Sequence, residues 1–476
     1  MSAAYGDQRG RWWQPMSDAQ VLCLATVTIV AVWLGASRPA ASVTCLIVVA
    51  AAITWPSRRD LVLLAVLLAV FGAWSSAHSW SHAVPRTLGP YSGWVVVSSD
   101  PSAVGFGSRI TLEVDGERFD AMAFGPLRKR LSSCQAGELL EVVGVRRQSS
   151  GPWARRAQVR HVVGDFKLDA VGAHQPGGPV ARASNRVRAK LRSAAARAMP
   201  ADQAALFTGL IIGDDAAQPT AMVAQFRSAG LSHLTAVSGQ NVAFVLAVAG
   251  LGLRRLSRWW RLGATLAVIA WFVVVTRVEP SVVRAGMMAG LSAFAFAVGR
   301  ERHPVRMLSL AVIVLALLDP LLVWSVAFWL SVGATLGVSA LATVLAERMT
   351  GPRWFIEPLS VSVGAQVGVL VPSWLVFHRL PPLGLAANLL AVPVAGGVML
   401  YGIPAGLFAA ALPRTAAVVM APCVLGTRWV SIVAALVDRF TPRGPAAVIV
   451  WAMQLGALWW LVSASRWRRP PSPVER

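Results

Sequence analysis

Apolar stretches of membrane-crossing length recur along the whole chain. They run roughly over Val21–Ala36, Ala41–Trp55, Leu61–Ala77, Leu234–Leu253, Leu262–Thr276, Val282–Val298, Val305–Leu318, Leu321–Leu345, Val361–Phe377, Leu383–Leu412, Ala416–Val437 and Ala446–Val462. A helix needs about 20 apolar residues to cross a bilayer, so several runs are short, and the pattern predicts a polytopic α-helical membrane protein of about eleven or twelve spans. The first run lacks a small-x-small cleavage site and reads as an anchor rather than a cleavable signal.

Between the third and fourth runs the pattern changes. Trp94–Ser98, Arg109–Val114, Leu139–Val145 and Gln158–Val163 are short β-branched runs, and Asp115-Gly116 between alternating residues signals a hairpin. About five strands in this length suit a small extracytoplasmic β-barrel of the OB type. The following stretch, Arg182 to Arg197, carries basic but no acidic residues. At helical spacing Arg182, Arg186 and Lys190 share one face and Val187, Leu191 and Ala194 another, which predicts an amphipathic interfacial helix ended by Pro200. Such a helix fits two roles, lying on anionic headgroups or lining the mouth of a nucleic-acid path. The chain therefore divides into an N-terminal membrane block (1–78), a β domain (79–174), a basic junction helix (175–200), a second membrane block (201–465) and a tail (466–476).

One apolar run opens on an unusually polar segment, Gly230-Leu-Ser-His-Leu-Thr-Ala-Val-Ser-Gly-Gln-Asn-Val242. His233, Thr235, Ser238, Gln240 and Asn241 each need a partner in an apolar setting, and such residues in membranes face a cavity or another helix. A helix–helix seam is one reading; a polar-lined path is the other. Four further polar residues lie in apolar surroundings. Glu279 and Arg284 flank the start of one span, with Pro280 at a favoured first helical position. Gln366 and Asn388 suit interhelical hydrogen bonds or contacts to a passing polar backbone. Asp319, before Pro320, reads as a helix end.

Composition agrees with the pattern: 55% of the 476 residues are hydrophobic and the mean hydropathy is +0.58. The net charge is +22, and all basic residues except Lys129, Lys167 and Lys190 are arginine. Much of this excess flanks spans: Arg9, Arg11, Arg58, Arg59, Arg254, Arg255, Arg258, Arg261, Arg300, Arg302, Arg306, Arg466, Arg468 and Arg469 fall on one side when alternate loops are counted. The positive-inside rule assigns that side, and both termini, to the cytoplasm, leaving the β domain outside. The rest concentrates in the β domain and the junction. Arg128, Lys129, Arg130, Arg146, Arg147, Arg155, Arg156, Arg182, Arg186 and Lys190 are candidates for phosphate contacts. Trp94, Phe106, Phe119, Phe124 and Trp153 are available as stacking platforms, although most of them read as core.

Catalytic templates fail. The segment around Ser238 lacks the flanking glycines of a nucleophile elbow, and no phosphate-binding loop of an NTPase is present. The seven histidines are scattered and the four cysteines have no metal spacing, so no metal site, no cofactor and no enzymatic role is expected.

The polar segment also resembles a known family. Gly230-Leu-Ser-His-Leu followed by Ala236-Val-Ser-Gly239 is similar to the signature of the ComEC family, the membrane DNA-uptake channels of bacterial competence. Glu279-Pro-Ser-Val-Val-Arg-Ala285, then Asp319-Pro320 with Phe328-Trp-Leu-Ser331 and Ala334-Thr335, then Gln366–Pro372 with Phe377-His378 and Ala387-Asn-Leu-Leu-Ala-Val-Pro393, follow in the family's order. Gly213-Asp214-Asp215 resembles the family pattern too, whereas Asn241 stands where many relatives carry His. The resemblance implies an OB-type insert and a channel passing single-stranded DNA during natural transformation. It also implies membrane lipid, an extracytoplasmic DNA receptor and a cytoplasmic motor or single-strand-binding protein as partners. Long relatives carry a C-terminal metallo-β-lactamase-like domain with an HxHxDH motif; here the sequence ends at Pro470–Arg476, so a separate nuclease is expected. Rival readings are a secondary transporter of a small anion and a membrane hydrolase using His233 or Asp214.

Overall fold

The computed structural model describes residues 16–37, 58–235, 239–300, 303–349, 351–377, 381–442 and 445–467. Helix α1 (Asp18–Gly35) begins with a capping box in which Ser17 and Gln20 bond reciprocally. Helix α2 (Arg59–Ser81) packs along it with Leu24 against Leu61 and Ala65, and Ala31 against Ala69 and Ala73. Residue numbers rise together on both helices, so α1 and α2 are parallel. The predicted second span, Ala41–Trp55, lies outside the described residues.

The chain then enters the β domain. Its strands are β1 (Gly89–Val97), β2 (Ser102–Val104), β3 (Gly107–Val114), β4 (Glu117–Ala123), β5 (Leu139–Gln148) and β6 (Val162–Gln175), with short helices α3 (Gly125–Leu131) and α4 (Pro152–Gln158) between them. The sheet order is β1-β5-β6-β4-β3-β2, and β1 also pairs with β3 at Val96↔Glu113 and Val97↔Leu112. Pairing therefore returns to the first strand. Only β4 and β6 are parallel to each other. Asp115 and Gly116 both take positive φ, 51° and 79°, as a two-residue hairpin turn of type I′ requires. The last predicted strand is corrected at its start: Gln158 ends α4, whose first turn takes Pro152, and β6 begins at Val162. Val95, Ile110, Leu112, Phe119, Leu140, Val142 and Phe166 form the domain's core. Cys134 lies in it as a free thiol, and burial pushes that thiol up to about 11, with Glu138 adding to the shift.

The rest of the chain is helical: α5 (Pro179–Ala198), α6 (Ala201–Ile212), α7 (Thr220–Ser228), a single turn at Ser232–Thr235, α8 (Gly239–Leu253), α9 (Arg258–Val275), α10 (Pro280–Ala297) and α11 (Pro304–Leu318). A 3-10 turn (Pro320–Trp324) leads to α12 (Val326–Arg348), which contains a π-helical turn at Val338–Ala342. α13 (Arg353–Phe377), α14 (Gly384–Ala411), α15 (Ala416–Phe440) and α16 (Pro445–Trp467) follow. Seven of the described helices are long and apolar enough to cross a membrane, and the protein is a multi-pass membrane protein.

A single core joins α5, α6, α9, α14 and α15, through Leu191, Phe207, Phe272, Ala395 and Met420 among others. The junction helix thus differs from the interfacial helix expected. Its apolar face, with Leu191, Ala194 and Ala195, is buried against protein, and only its basic face is open. Helix α6 has no counterpart among the predicted spans; at 12 residues it is too short to cross a bilayer, yet Ala205–Ile212 are all buried. The first two helices pack on the later bundle, with Ala25 against Leu308, Val312 and Phe328. At the end of the bundle away from the β domain, Arg306 and His303 meet Asp18.

Candidate functional site

Five charged side chains meet where the β domain sits on the bundle. Asp100, in the loop after β1, accepts from Arg277 Nε at 3.2 Å and Nη2 at 2.9 Å, from Arg188 Nη2 at 3.0 Å and from the Ala136 backbone N–H at 2.8 Å. Arg188 is only 2% exposed although it is a full-length cation. It also donates to the carbonyls of Ile212 (3.0 Å) and Val275 (3.1 Å), and lies 3.5 Å from Asp214. Arg192, one turn further along α5, pairs with Asp214. Burial by itself would raise the Asp100 carboxyl, but the neighbouring Arg277 and Arg188 hold it below the usual carboxylate range. Arg277 and Val278, between α9 and α10, both adopt left-handed backbone (φ 62° and 58°), a strained choice for a β-branched valine.

Two further contacts fasten the β domain. His161 shares a hydrogen bond of 2.9 Å with Asp319, which caps the C-terminus of α11. Arg155 places its guanidinium over Trp80, at 5.3 Å, and over Trp324, at 4.7 Å. Arg155, exposed and expected as a phosphate contact, thus also ties the β domain to the helices beneath it. Arg146 is also engaged, paired to Asp115 at 2.9 Å and set over Tyr91. Arg130 donates to the Val171 carbonyl and Arg128 to the Phe106 carbonyl. Lys129, Arg147 and Arg156 point outward, Arg156 beside Trp153. On α5, Arg182, Arg186 and Lys190 share the open face.

The aromatics correct the expectation that most are core. Phe119 is buried, but Trp94, Phe106, Phe124 and Trp153 are exposed, Phe106 by 96%. Phe106 stands at the tip of the β2–β3 hairpin, after Gly105 with φ +56°. The Phe124 ring lies over Gly107, where an added Cβ would stand 2.7 Å from it. Phe106, Phe124, Arg128 and Lys129 thus form one exposed aromatic and cationic patch.

In the signature segment, Gly230 takes φ +75° and abuts Gly384. Gln366 borders that same glycine, one helical turn before Asn388 on α14. His233 and Gln240 are exposed, whereas Asn241 is buried and donates to the Leu210 carbonyl at 2.7 Å. Ser238 lies outside the described residues. Gly239 packs on Ala285, where a Cβ would approach to 2.9 Å. Glu279 occupies the N-cap position of α10 with its side chain exposed, and Arg284 is buried on the same helix. The structure thus brings Gly230, Gln366 and Gly384 together, leaves Asn388 a turn further along α14, and separately sets Gly239 beside α10. Among the described residues no three His, Cys, Asp or Glu side chains gather as metal ligands.

Sequence reasoning missed Asp100, Arg188, Arg192 and Arg277. One signal was available. Ser184, Arg188, Leu191 and Ala195 share the buried stripe of α5, and an arginine inside such a stripe demands acid partners.

A family model described as Competence protein matches residues 210–468. The ComE operon protein 3 of Bacillus subtilis (strain 168) is 26% identical over 217 residues, covering 44% of this chain and 27% of that protein. No solved structure matches.

Proposed function

This chain belongs to the competence protein family, and from that premise we propose that it passes single-stranded DNA across the cytoplasmic membrane during natural transformation. The β domain, whose strand pairing returns to β1, is an OB-like barrel lying outside, and its exposed side captures the strand. By the positive-inside rule, the arginines flanking the spans support a cytoplasmic side for those ends and for both termini. Of the signature segment and the polar residues near it, His233, Gln240, Asn241, Gln366 and Asn388 are the proposed lining of the route. A receptor outside, and a motor or single-strand-binding protein inside, work with the chain; a separate nuclease degrades the other strand.

The observation that carries this reading is the patch of Phe106, Phe124, Arg128 and Lys129. Bases stack on exposed rings while neighbouring cations meet phosphates, an arrangement suited to single strands of any sequence. The basic face of α5, with Arg182, Arg186 and Lys190 exposed, offers a second cationic surface next to the bundle. In the test, a strain deleted for this protein receives labelled DNA, and nuclease-protected label is compared with surface label. Loss of protected label with surface label retained is expected. Equal internalisation with and without the protein would refute the reading.

A further inference from the structure

Arg284 is 4% exposed, deep on α10. Its Nη2 donates to the Ala327 carbonyl at the head of α12, 2.9 Å away, and its guanidinium carbon lies 5.8 Å from the centroid of the Phe328 ring. Its Nε and Nη1 are buried and meet no acceptor. Among the described residues no carboxylate lies within ion-pair distance; Glu279, the exposed N-cap residue of the same helix, acts on it only from beyond contact. This differs from Arg188, which spends its charge on Asp100 and Asp214.

A buried cation with open N–H groups and no carboxylate in contact is unfavourable, and native proteins keep few of them. Its surroundings suggest what completes it. Ala285, the next residue, touches Gly239 at the start of α8, so Arg284 stands beside the signature segment, between α10 and α12. One carbonyl and one ring fix the guanidinium while leaving two donors unspent. A weakly hydrated guanidinium that stays charged when buried is suited to meeting a phosphate anion there.

We propose that Arg284 is a phosphate-binding station within the membrane bundle, receiving phosphodiester groups of the transported strand one after another. The proposal rests on the DNA-passage reading given above. Charge on the strand is then required for movement, as well as for capture at the surface.

Arg284→Gln and Arg284→Lys full-length chains are expressed in the deletion strain, and folded membrane protein, surface-bound label and internalised label are measured together. Arg284→Gln is expected to keep folded protein and surface binding while internalisation falls about tenfold or more; Arg284→Lys restores part of it. Wild-type internalisation by Arg284→Gln, or a loss that merely tracks folded protein, overturns the station. A second measurement holds even if the variants do not fold. The wild-type chain is given strands with a block of neutral methylphosphonate linkages, and internalisation should stall at that block. Passage equal to the charged strand overturns the proposal and leaves a structural or lipid-phosphate role for Arg284. Failure of the DNA-passage reading is distinct, showing as unchanged internalisation in the deletion strain.

Discussion

In the sequence Asp100 is one aspartate before a proline, in a loop between two short strands. In the fold it collects two arginines and a backbone amide. Replacing Asp100 with Asn leaves Arg188 buried beside a weaker acceptor, and loss of a buried ionic partner costs about 3 kcal/mol. Thermal unfolding in detergent should show a clear fall in midpoint at neutral pH for Asp100→Asn. The pH dependence follows from the direction of the shift. Because the folded carboxyl titrates below its unfolded value of about 3.9, its stabilisation is complete above that value and is lost as pH falls further. The gap between Asp100→Asn and wild type should therefore close in acid below about pH 4; a gap constant through that window would contradict the assignment. Beyond the arginine in the buried stripe of α5, this was not legible from the sequence, because the two arginines that bond Asp100 come from α5 and from the turn before α10, far apart in the chain. Asp115-Gly116 was legible, since a two-residue turn is a purely local matter.

At the level of helices, α12 and α13 approach each other backbone to backbone. Gly333 and Gly337 on one face Gly368 and Gly364 on the other; a Cβ at Gly337 would stand 2.1 Å from the Gly364 carbonyl oxygen and one at Gly333 2.3 Å from that of Gly368. Small residues four apart on both partners are the membrane packing device that permits this closeness. Gly337→Ala should therefore sharply reduce folded protein extracted in mild detergent. Gly250→Ala, on α8 with open space around it, should leave folded protein unchanged or raise it, as alanine favours a helix by up to about 1 kcal/mol. Equal yields from the two variants would remove the packing role. Most spans were legible from hydropathy because each is a long, contiguous signal. Helix α6 was not, since a short helix buried on every side by protein has neither spanning length nor an amphipathic stripe. The exposure of Phe106 and Phe124 also escaped a reading of composition, because a hairpin tip and the end of a strand carry rings outward whatever the residue's usual preference.

For the whole molecule, a cationic capture surface carries a salt signature. If three phosphates are neutralised on binding, affinity for a single strand should fall roughly 20-fold between 50 and 200 mM salt. Purified full-length protein and a labelled oligonucleotide suffice for the measurement; a flat salt response would exclude capture by charge. Removing the aromatic rings, by Phe106→Ala with Phe124→Ala, should weaken binding while leaving the salt slope unchanged, since stacking releases no counterions.

The three fastenings of the β domain have a mechanical consequence. Asp100 rests on α5 and the turn before α10, His161 on the end of α11, and Arg155 on indoles from α2 and the 3-10 turn. A rigid body seated at separate points on one base behaves as a kinematic mount: it keeps its height and tilt and has no axis left about which to swing. The domain is then a fixed collar rather than a lid. On the DNA-passage proposal, a strand held on its outer side would travel past a gap of constant width, and releasing any one fastening alone would loosen the seat without opening a door.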